Sequence, residues 1–68
     1  MKVSFYKKYY DLGSIERSVV AFSDFGNFSI KKDGDYFLIK ITNIDKDFTD
    51  NFQEEFCNYV LSEVAKKK

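Results

Sequence analysis

Hydrophobic and polar residues alternate at the start of the chain and then recur at helical spacing. Val3 and Phe5 are separated by Ser4, and this period of two predicts a short strand with one buried face. From residue 12 the spacing changes to three and four, as one face of a helix requires. The residues with this spacing are Leu12, Ile15, Val19 and Phe22. We expect this helix to be capped by Asp11 and to stop at Gly26.

Two alternating runs flank the dipeptide Asp33-Gly34, which is the strongest local signal in the chain. Asp-Gly between such runs predicts a two-residue type I′ hairpin. Counting outward from this turn pairs Ile30 with Phe37. The predicted core face of the hairpin then holds Phe28, Ile30, Phe37, Ile39 and Ile41. The opposite face is mostly polar but carries two large side chains, Tyr36 and Leu38.

The last third of the chain predicts a second helix, with Asp47 or Thr49 as its N-cap. The apolar residues cover well over half of its circumference, more than one sheet needs. They are Phe48, Phe52, Phe56, Cys57, Tyr59, Val60, Leu61 and Val64. Asn58 lies on the polar side. Glu63 precedes Lys67 by four residues, the favourable orientation for an ion pair on a helix.

The predicted order of elements is strand, helix, strand, strand, helix. A right-handed crossover places the third strand between the first and the second, which gives the spatial order 1-3-2 with both helices on one face. We therefore expect residues 1–68 to form a single α+β domain of two layers. This β-α-β-β-α unit is similar to a ferredoxin-like fold that lacks its last strand. The outer edge of the first strand and the second face of the sheet are left without a partner.

Composition and charge narrow the possible functions. Eleven basic residues balance eleven acidic ones, and Arg17 is the single arginine, so we expect no nucleic acid partner. One cysteine and no proline predict a reducing, cytoplasmic setting. The chain has neither an apolar run that could span a membrane nor the pattern of a secretory signal. We accordingly expect no membrane partner.

The chain lacks the side chain most often used for proton transfer near neutral pH. It has no histidine, and no carboxylates stand at a spacing typical of a catalytic pair. Cys57 is alone, so it cannot form a redox pair, an iron–sulfur site or a zinc cluster, and no base is present to activate it. We expect Cys57 to lie in or near the core. The sequence thus predicts a protein that is not an enzyme and holds no metal or cofactor.

Two stretches on either side of the hairpin, YDLGSIERSVVAFSD and EEFCNYVLSE, resemble a known family. The matching residues are Tyr10, Leu12, Ile15 and Phe22-Ser23-Asp24 in the first stretch, and Phe56, Asn58 and Leu61 in the second. With these residues the chain resembles the HxsD family, the small D component of the His-Xaa-Ser peptide maturation system. The resemblance implies an accessory protein that works beside radical S-adenosylmethionine (SAM) enzymes on a ribosomally made peptide.

Our first hypothesis is therefore a non-catalytic adaptor that binds a precursor peptide or a radical SAM maturase. The candidate contact residues lie on the first strand, the sheet face and the second helix: Val3, Phe5, Tyr36, Leu38, Asn58, Tyr59 and Leu61. The alternative is a self-associating structural protein, a homodimer in which Tyr6, Tyr36 and Leu38 pair two sheet faces. A third, weaker alternative is an RNA-binding module, since Tyr36 and Leu38 lie beside Lys31 and Lys40 on the open face.

Overall fold

The computed structural model describes residues 1–48 and 50–66, and residue 48 by its main chain only. The order of elements is the one that the sequence predicts, with one additional 3₁₀ turn before the second helix. The elements are β1 (Lys2–Tyr6), α1 (Leu12–Phe22), β2 (Asn27–Asp33), β3 (Tyr36–Thr42), the 3₁₀ turn (Lys46–Phe48) and α2 (Phe52–Ala65).

The sheet has three strands in the order β1-β3-β2, which confirms the predicted topology. The central strand β3 pairs antiparallel with both neighbours. Its sequence YFLIKIT buries Phe37, Ile39 and Ile41 on one face. Both helices pack their buried residues against that same face, so the domain is the expected two-layered α+β unit. The residues on the other face of β3 are exposed, apart from the half-buried Leu38.

Four of the nine buried hydrophobic residues that the structure describes are phenylalanines, and each ring buries a large apolar area. Phe56 of α2 is fully buried at the centre of the core. Its ring centroid lies 6.2 Å from that of Phe5, 5.5 Å from that of Phe22 and 5.2 Å from that of Phe28. Phe56 therefore joins β1, α1 and β2 to α2. Among the side chains that the structure describes, the buried hydrophobic ones are Val3, Phe5, Ile15, Phe37, Ile39, Ile41, Phe52, Phe56 and Val60.

The β2–β3 hairpin forms, but the predicted register is wrong. Its two loop residues are Gly34 and Asp35, and Ile30 pairs with Ile39 instead of Phe37. Gly34 has a φ of 58°, whereas Asp35 has no positive φ. A type I′ turn requires a positive φ at both loop positions, so the turn here is of another type, with glycine first. Because the pairing shifts by two residues along β3, the predicted core face is unchanged.

The predicted stop of α1 at Gly26 is also wrong. The helix ends at Phe22, and Ser23 follows it in a right-handed helical conformation. Gly26 does not adopt the left-handed conformation of a glycine helix cap. Instead, a Cβ atom at this position would lie 3.3 Å from the carbonyl oxygen of Thr42. Glycine is therefore favoured here, because the chain passes close to the end of β3 and a side chain would be tightly packed.

The second helix begins later than the sequence predicts. Asn51 occupies the N-cap position of α2, and its side chain makes no capping hydrogen bond. The predicted cap Asp47 lies in the 3₁₀ turn, where its N–H donates to Oδ1 of Asp45 at 3.0 Å. The alternative cap Thr49 and the predicted ion-pair partner Lys67 lie outside the described residues. Asp45 and Asp47 thus belong to a separate turn before α2 and do not cap the helix.

Candidate functional site

The main-chain hydrogen bonds of β1 show which of its groups are open. The main-chain N of Met1 donates to the carbonyl oxygen of Ile41 at 3.0 Å, and Ile41 N–H donates back at 2.8 Å. Further along, Lys7 N–H donates to the carbonyl oxygen of Asp35 at 2.8 Å. Bonded pairs in an antiparallel ladder recur every two residues, so the odd-numbered residues direct these groups towards β3. The groups that point to the outer edge belong to Lys2, Ser4 and Tyr6.

Most of these outer groups are available to a partner. The carbonyl oxygen of Tyr6 accepts the N–H groups of Tyr9 at 3.0 Å and Tyr10 at 3.1 Å, in the turn after β1. Within residues 1–48 and 50–66 no strand pairs with the outer edge of β1. The edge therefore presents the N–H groups of Lys2, Ser4 and Tyr6 and the carbonyl oxygens of Lys2 and Ser4. Such a row of groups is a template for an added strand.

Exposed tyrosines flank this edge. Tyr6, Tyr9 and Tyr36, which we call the tyrosine cluster, are 37%, 63% and 47% exposed. The ring of Tyr6 lies 5.4 Å from that of Tyr36 and 5.5 Å from that of Tyr9, between ring centroids. Lys8 places its Nζ 5.8 Å from the centroid of Tyr9, within range of a cation–π contact. Tyrosine rings offer apolar area with a polar tip, which suits a contact surface.

On the exposed face of the sheet, two lysines lie at the end opposite the tyrosine cluster. Lys2 of β1 is directly opposite Lys40 of β3 in a pair whose main chains do not bond each other, the arrangement that brings side chains closest. Neither lysine makes an ion pair with a described residue. Like charges placed directly opposite each other destabilise a sheet. Ser4 and Leu38 separate this basic pair from the tyrosine cluster.

The predicted contact residues of the sheet are divided between its two faces. Val3 and Phe5 are only 7% and 4% exposed, so their side chains belong to the core. β1 can therefore offer a partner its outer main-chain groups and the exposed side chains of Lys2, Ser4 and Tyr6. Tyr36 is exposed in the tyrosine cluster, and Leu38 lies half-buried beside Ser4. Whether these residues bind a partner stays a prediction.

The predicted contact residues of α2 form a separate exposed region. Leu61 is 54% exposed and Tyr59 is 38% exposed, with Asn58 exposed beside them. The ring of Tyr59 lies 5.4 Å from that of Phe22 in α1.

Cys57 is half-buried against the core, in agreement with the sequence, and burial raises the pKa of its thiol. A raised pKa leaves less of the reactive thiolate at neutral pH.

A chain of polar contacts joins the start of α1 to the end of α2. Asp11 accepts the N–H of Ser14 at 2.9 Å and its hydroxyl at 2.7 Å, and so caps α1 as predicted. Arg17 donates from Nη2 to Ser14 Oγ at 3.2 Å and from Nε to Glu63 Oε1 at 3.1 Å. Lys66 Nζ lies 2.8 Å from Glu63 Oε2. We call these residues the interhelical network.

Glu63 is buried at 7% exposure, a position that glutamate occupies only when it is paired. The ion pair with Lys66 is the main cause that lowers the pKa of Glu63; burial opposes this effect and Arg17 adds to it. The same ion pair raises the pKa of Lys66. The sequence predicts an ion pair of Glu63 with Lys67 but not the burial of Glu63. Its spacing of seven from Phe56 and three from Val60 is the signal that places Glu63 on the buried stripe.

The described residues give no indication of a metal centre or a membrane span. Within residues 1–48 and 50–66 no three His, Cys, Asp or Glu side chains are grouped so that they could hold a metal ion. In the same part of the chain, every helix is too short or too polar to cross a bilayer.

The chain has no match among known proteins that would name a function. No protein-family model matches it. No curated protein and no solved structure is significantly similar to it. The resemblance to the HxsD family therefore stays a prediction that depends on the residues named above.

Proposed function

We propose that this chain is a non-catalytic adaptor that binds a peptide segment by adding it as a fourth strand beside β1. One observation carries the proposal: the open main-chain groups of Lys2, Ser4 and Tyr6 lie next to the exposed tyrosine cluster. In strand addition, main-chain hydrogen bonds provide affinity, and contacts with alternate side chains provide specificity. β1 offers both in one place.

The other edge of the sheet supports strand addition less well. By the same alternation, β2 directs the main-chain groups of Phe28, Ile30 and Lys32 outward. However, the exposed side chains of β2 are all polar: Asn27, Ser29, Lys31, Lys32 and Asp33. At β1 the exposed large groups are Met1, Tyr6 and Tyr9. Hydrogen bonds formed in water contribute little net free energy, so the edge with apolar contacts is the better binding site.

The family resemblance suggests what the bound segment is. We propose that it belongs to a precursor peptide or to a radical SAM maturase, and that the adaptor works in the cytoplasm. The exposed region of α2 around Leu61 belongs to the helical layer, while β1 belongs to the sheet. The adaptor can therefore contact a maturase through α2 while β1 holds a peptide.

A homodimer through the open sheet face is the less favoured proposal. The face carries Lys2, Lys31 and Lys40, and the pairing of two such faces would bring lysines of both copies into one interface. Like charges across an interface cost free energy. We expect sedimentation equilibrium to show a monomer, and a dimer that Leu38→Lys splits would favour the homodimer instead.

Two proline variants test strand addition. Ser4→Pro removes an N–H that points away from β3, a change that edge strands tolerate. Lys32→Pro makes the matched change at the outer edge of β2. Each variant and the wild type would carry a C-terminal tag, be purified without oxygen from the cells that make the protein, and be analysed by mass spectrometry for co-eluting chains.

We expect the wild type and Lys32→Pro to recover a maturase or a short peptide and Ser4→Pro to lose it. Amide spectra of the three chains would confirm that each is folded. Recovery of the same partner by folded Ser4→Pro would contradict binding at β1, and the absence of any partner from the wild type would contradict the adaptor function.

A further inference from the structure

Charge is distributed unevenly over the two layers, although the whole chain is neutral. Residues 1–10 and 27–42, which form the strands and their turns, carry six lysines against Asp33 and Asp35. The other described residues carry nine acidic side chains against Arg17, Lys46 and Lys66. The sheet layer is therefore basic and the helical layer acidic. A ligand that adds to the sheet enters a positive field.

The geometry of β1 fixes which of its side chains an added strand would meet. Side chains of the added strand that point to the outer face would lie opposite Lys2, Ser4 and Tyr6, about 4.5–5.5 Å away between Cβ atoms. Lys40 lies directly behind Lys2, and Tyr9 lies beside Tyr6. Lys2 and Tyr6 are four residues apart, or about 13 Å along a strand. The basic pair and the tyrosine cluster thus make two subsites at a defined separation.

We propose that the segment bound by β1 is an acidic peptide with Asp or Glu opposite Lys2 and an aromatic or aliphatic residue four positions away, opposite Tyr6. This inference rests on the proposed function and specifies its ligand. A carboxylate opposite Lys2 would relieve the repulsion between Lys2 and Lys40, for which the described residues provide no anion. The apolar residue would cover exposed ring surface of Tyr6 and Tyr9.

Tyrosines and lysines on an open sheet also suit a single-stranded nucleic acid. The structure favours a peptide for two reasons. The rings of the tyrosine cluster contact one another at interplanar angles of 40° and 62°. They are therefore not arranged as separate surfaces on which successive bases could stack. The open main-chain groups of Lys2 and Ser4 can form hydrogen bonds with a peptide backbone, whereas a nucleic acid offers them no matching ladder.

Selection from a random nonapeptide display library tests the ligand. The wild-type chain would be immobilised through its C-terminus, and the affinity of selected peptides would be measured by fluorescence anisotropy. We expect enriched sequences to carry Asp or Glu four residues from an aromatic or aliphatic residue. Their binding should be lost with Ser4→Pro and should weaken at least about twofold when salt rises from about 50 mM to about 500 mM.

Charge reversal tests the position of the carboxylate. The double variant Lys2→Glu/Lys40→Glu should weaken binding of the selected peptides by at least about fivefold. The reason is that the peptide carboxylate would then face two negative charges instead of two exposed lysines. The matched control Lys31→Glu/Lys32→Glu makes the same change in net charge on β2 and should weaken them less than about twofold. Amide spectra would show that both variants are folded. If one variant does not fold, the salt titration of the wild type still tests whether charge contributes to binding.

The outcomes separate this inference from the function on which it rests. Peptides that need an intact β1 edge but show no preference for Asp or Glu would overturn the inference and leave strand addition standing. Peptides that bind Ser4→Pro as well as the wild type, or a selection that enriches nothing, would overturn both. Displacement of the selected peptides by a fifteen-residue oligouridine at lower concentration than by unlabelled peptide would assign the face to nucleic acid.

Discussion

Glu63 shows how a single charged side chain is kept in a buried position. Its two carboxylate oxygens have different partners, Arg17 from α1 and Lys66 from the end of α2. Removal of a charge from water is unfavourable unless such partners compensate. Arg17 and Lys66 are themselves exposed, so solvent screens both pairs. The pairs link α1 to α2, and Arg17 also donates to the hydroxyl of Ser14, which in turn bonds the cap residue Asp11.

Glu63→Gln should reduce stability in a way that depends on pH. The pKa of Glu63 in the folded protein lies below its ordinary value of about 4.5. A lowered pKa contributes stability above that value, and the contribution is lost as the pH falls through the folded pKa. We expect urea unfolding to show the wild type as more stable than Glu63→Gln at neutral pH, with a difference that shrinks below about pH 4.5.

The control for this experiment is Glu16→Gln, which removes an exposed carboxylate from α1 outside the network. This variant should change the free energy of unfolding by no more than about 0.5 kcal/mol. If the difference in unfolding free energy between Glu63→Gln and the wild type stays constant from neutral to acid pH, the negative charge of Glu63 does not stabilise the interhelical network.

At the scale of elements, the two helices begin in different ways. Asp11 caps α1 with an oxygen on the N–H of Ser14, whereas Asn51 sits at the start of α2 without a capping bond. The first turn of α2 instead has Glu54 and Glu55, whose negative charge suits the positive end of a helix. The start of α2 is also fixed by Phe52, which is buried against Phe22 and Phe28.

Alanine variants of the two caps should therefore differ. Asp11→Ala removes a cap and the first member of the interhelical network, and we expect it to lower the free energy of unfolding by about 0.5–2 kcal/mol. Asn51→Ala removes no side-chain cap and should cost less than about 0.5 kcal/mol. Urea unfolding at neutral pH measures both, and equal costs for the two variants would refute this account of the caps.

Gly34→Ala tests the turn between β2 and β3. A Cβ atom at Gly34 would meet nothing within 4 Å, but the φ of 58° is unfavourable for alanine. We expect a loss of about 1 kcal/mol from backbone strain alone. Gly34→Asn should cost less, because asparagine tolerates this conformation. If thermal unfolding gave Gly34→Ala the same stability as the wild type, the turn would have to differ from the one described.

The sequence predicts the elements of this fold well because their periodicity reflects burial directly. The residues that it misplaces depend on contacts between distant parts of the chain. The close approach of Thr42 favours glycine at position 26, and Arg17, 46 residues away, is a partner of the buried Glu63. The register of the hairpin depends on which two residues form the loop, and Asp33-Gly34 and Gly34-Asp35 are both acceptable turns by composition. For the candidate site, the open edge of β1 was predicted, but not the pairing of Lys2 with Lys40, because that needs the β1–β3 register.

At the scale of the whole molecule, stability depends on a small number of rings. A chain of 68 residues buries only about 60% of its unfolded surface, and domains of this size are stable by a few kcal/mol. Phe56 contacts rings from three other elements, so its loss would affect both layers together. The domain is therefore expected to unfold as one unit.

Phe56→Ala should leave little or no folded protein. Removal of a fully buried phenylalanine costs about 3–5 kcal/mol, comparable with the whole stability expected for this domain. Leu61→Ala is the matched control in the same helix, since Leu61 is 54% exposed, and it should change stability by less than about 0.5 kcal/mol. Circular dichroism and amide spectra distinguish the two, and a folded Phe56→Ala domain would mean that the core can close around the cavity.

The central position of β3 has a consequence for how the chain folds during synthesis. Tyr6 is made 30 residues before its partner Tyr36, so β1 leaves the ribosome before β3 does. The β2–β3 hairpin is local and can close within about 1–10 μs once its turn has emerged. α1, with 11 residues, is too short to persist alone. β1 therefore joins a hairpin that already exists, and until then the edge of β1 that will pair with β3 is open to any other extended chain.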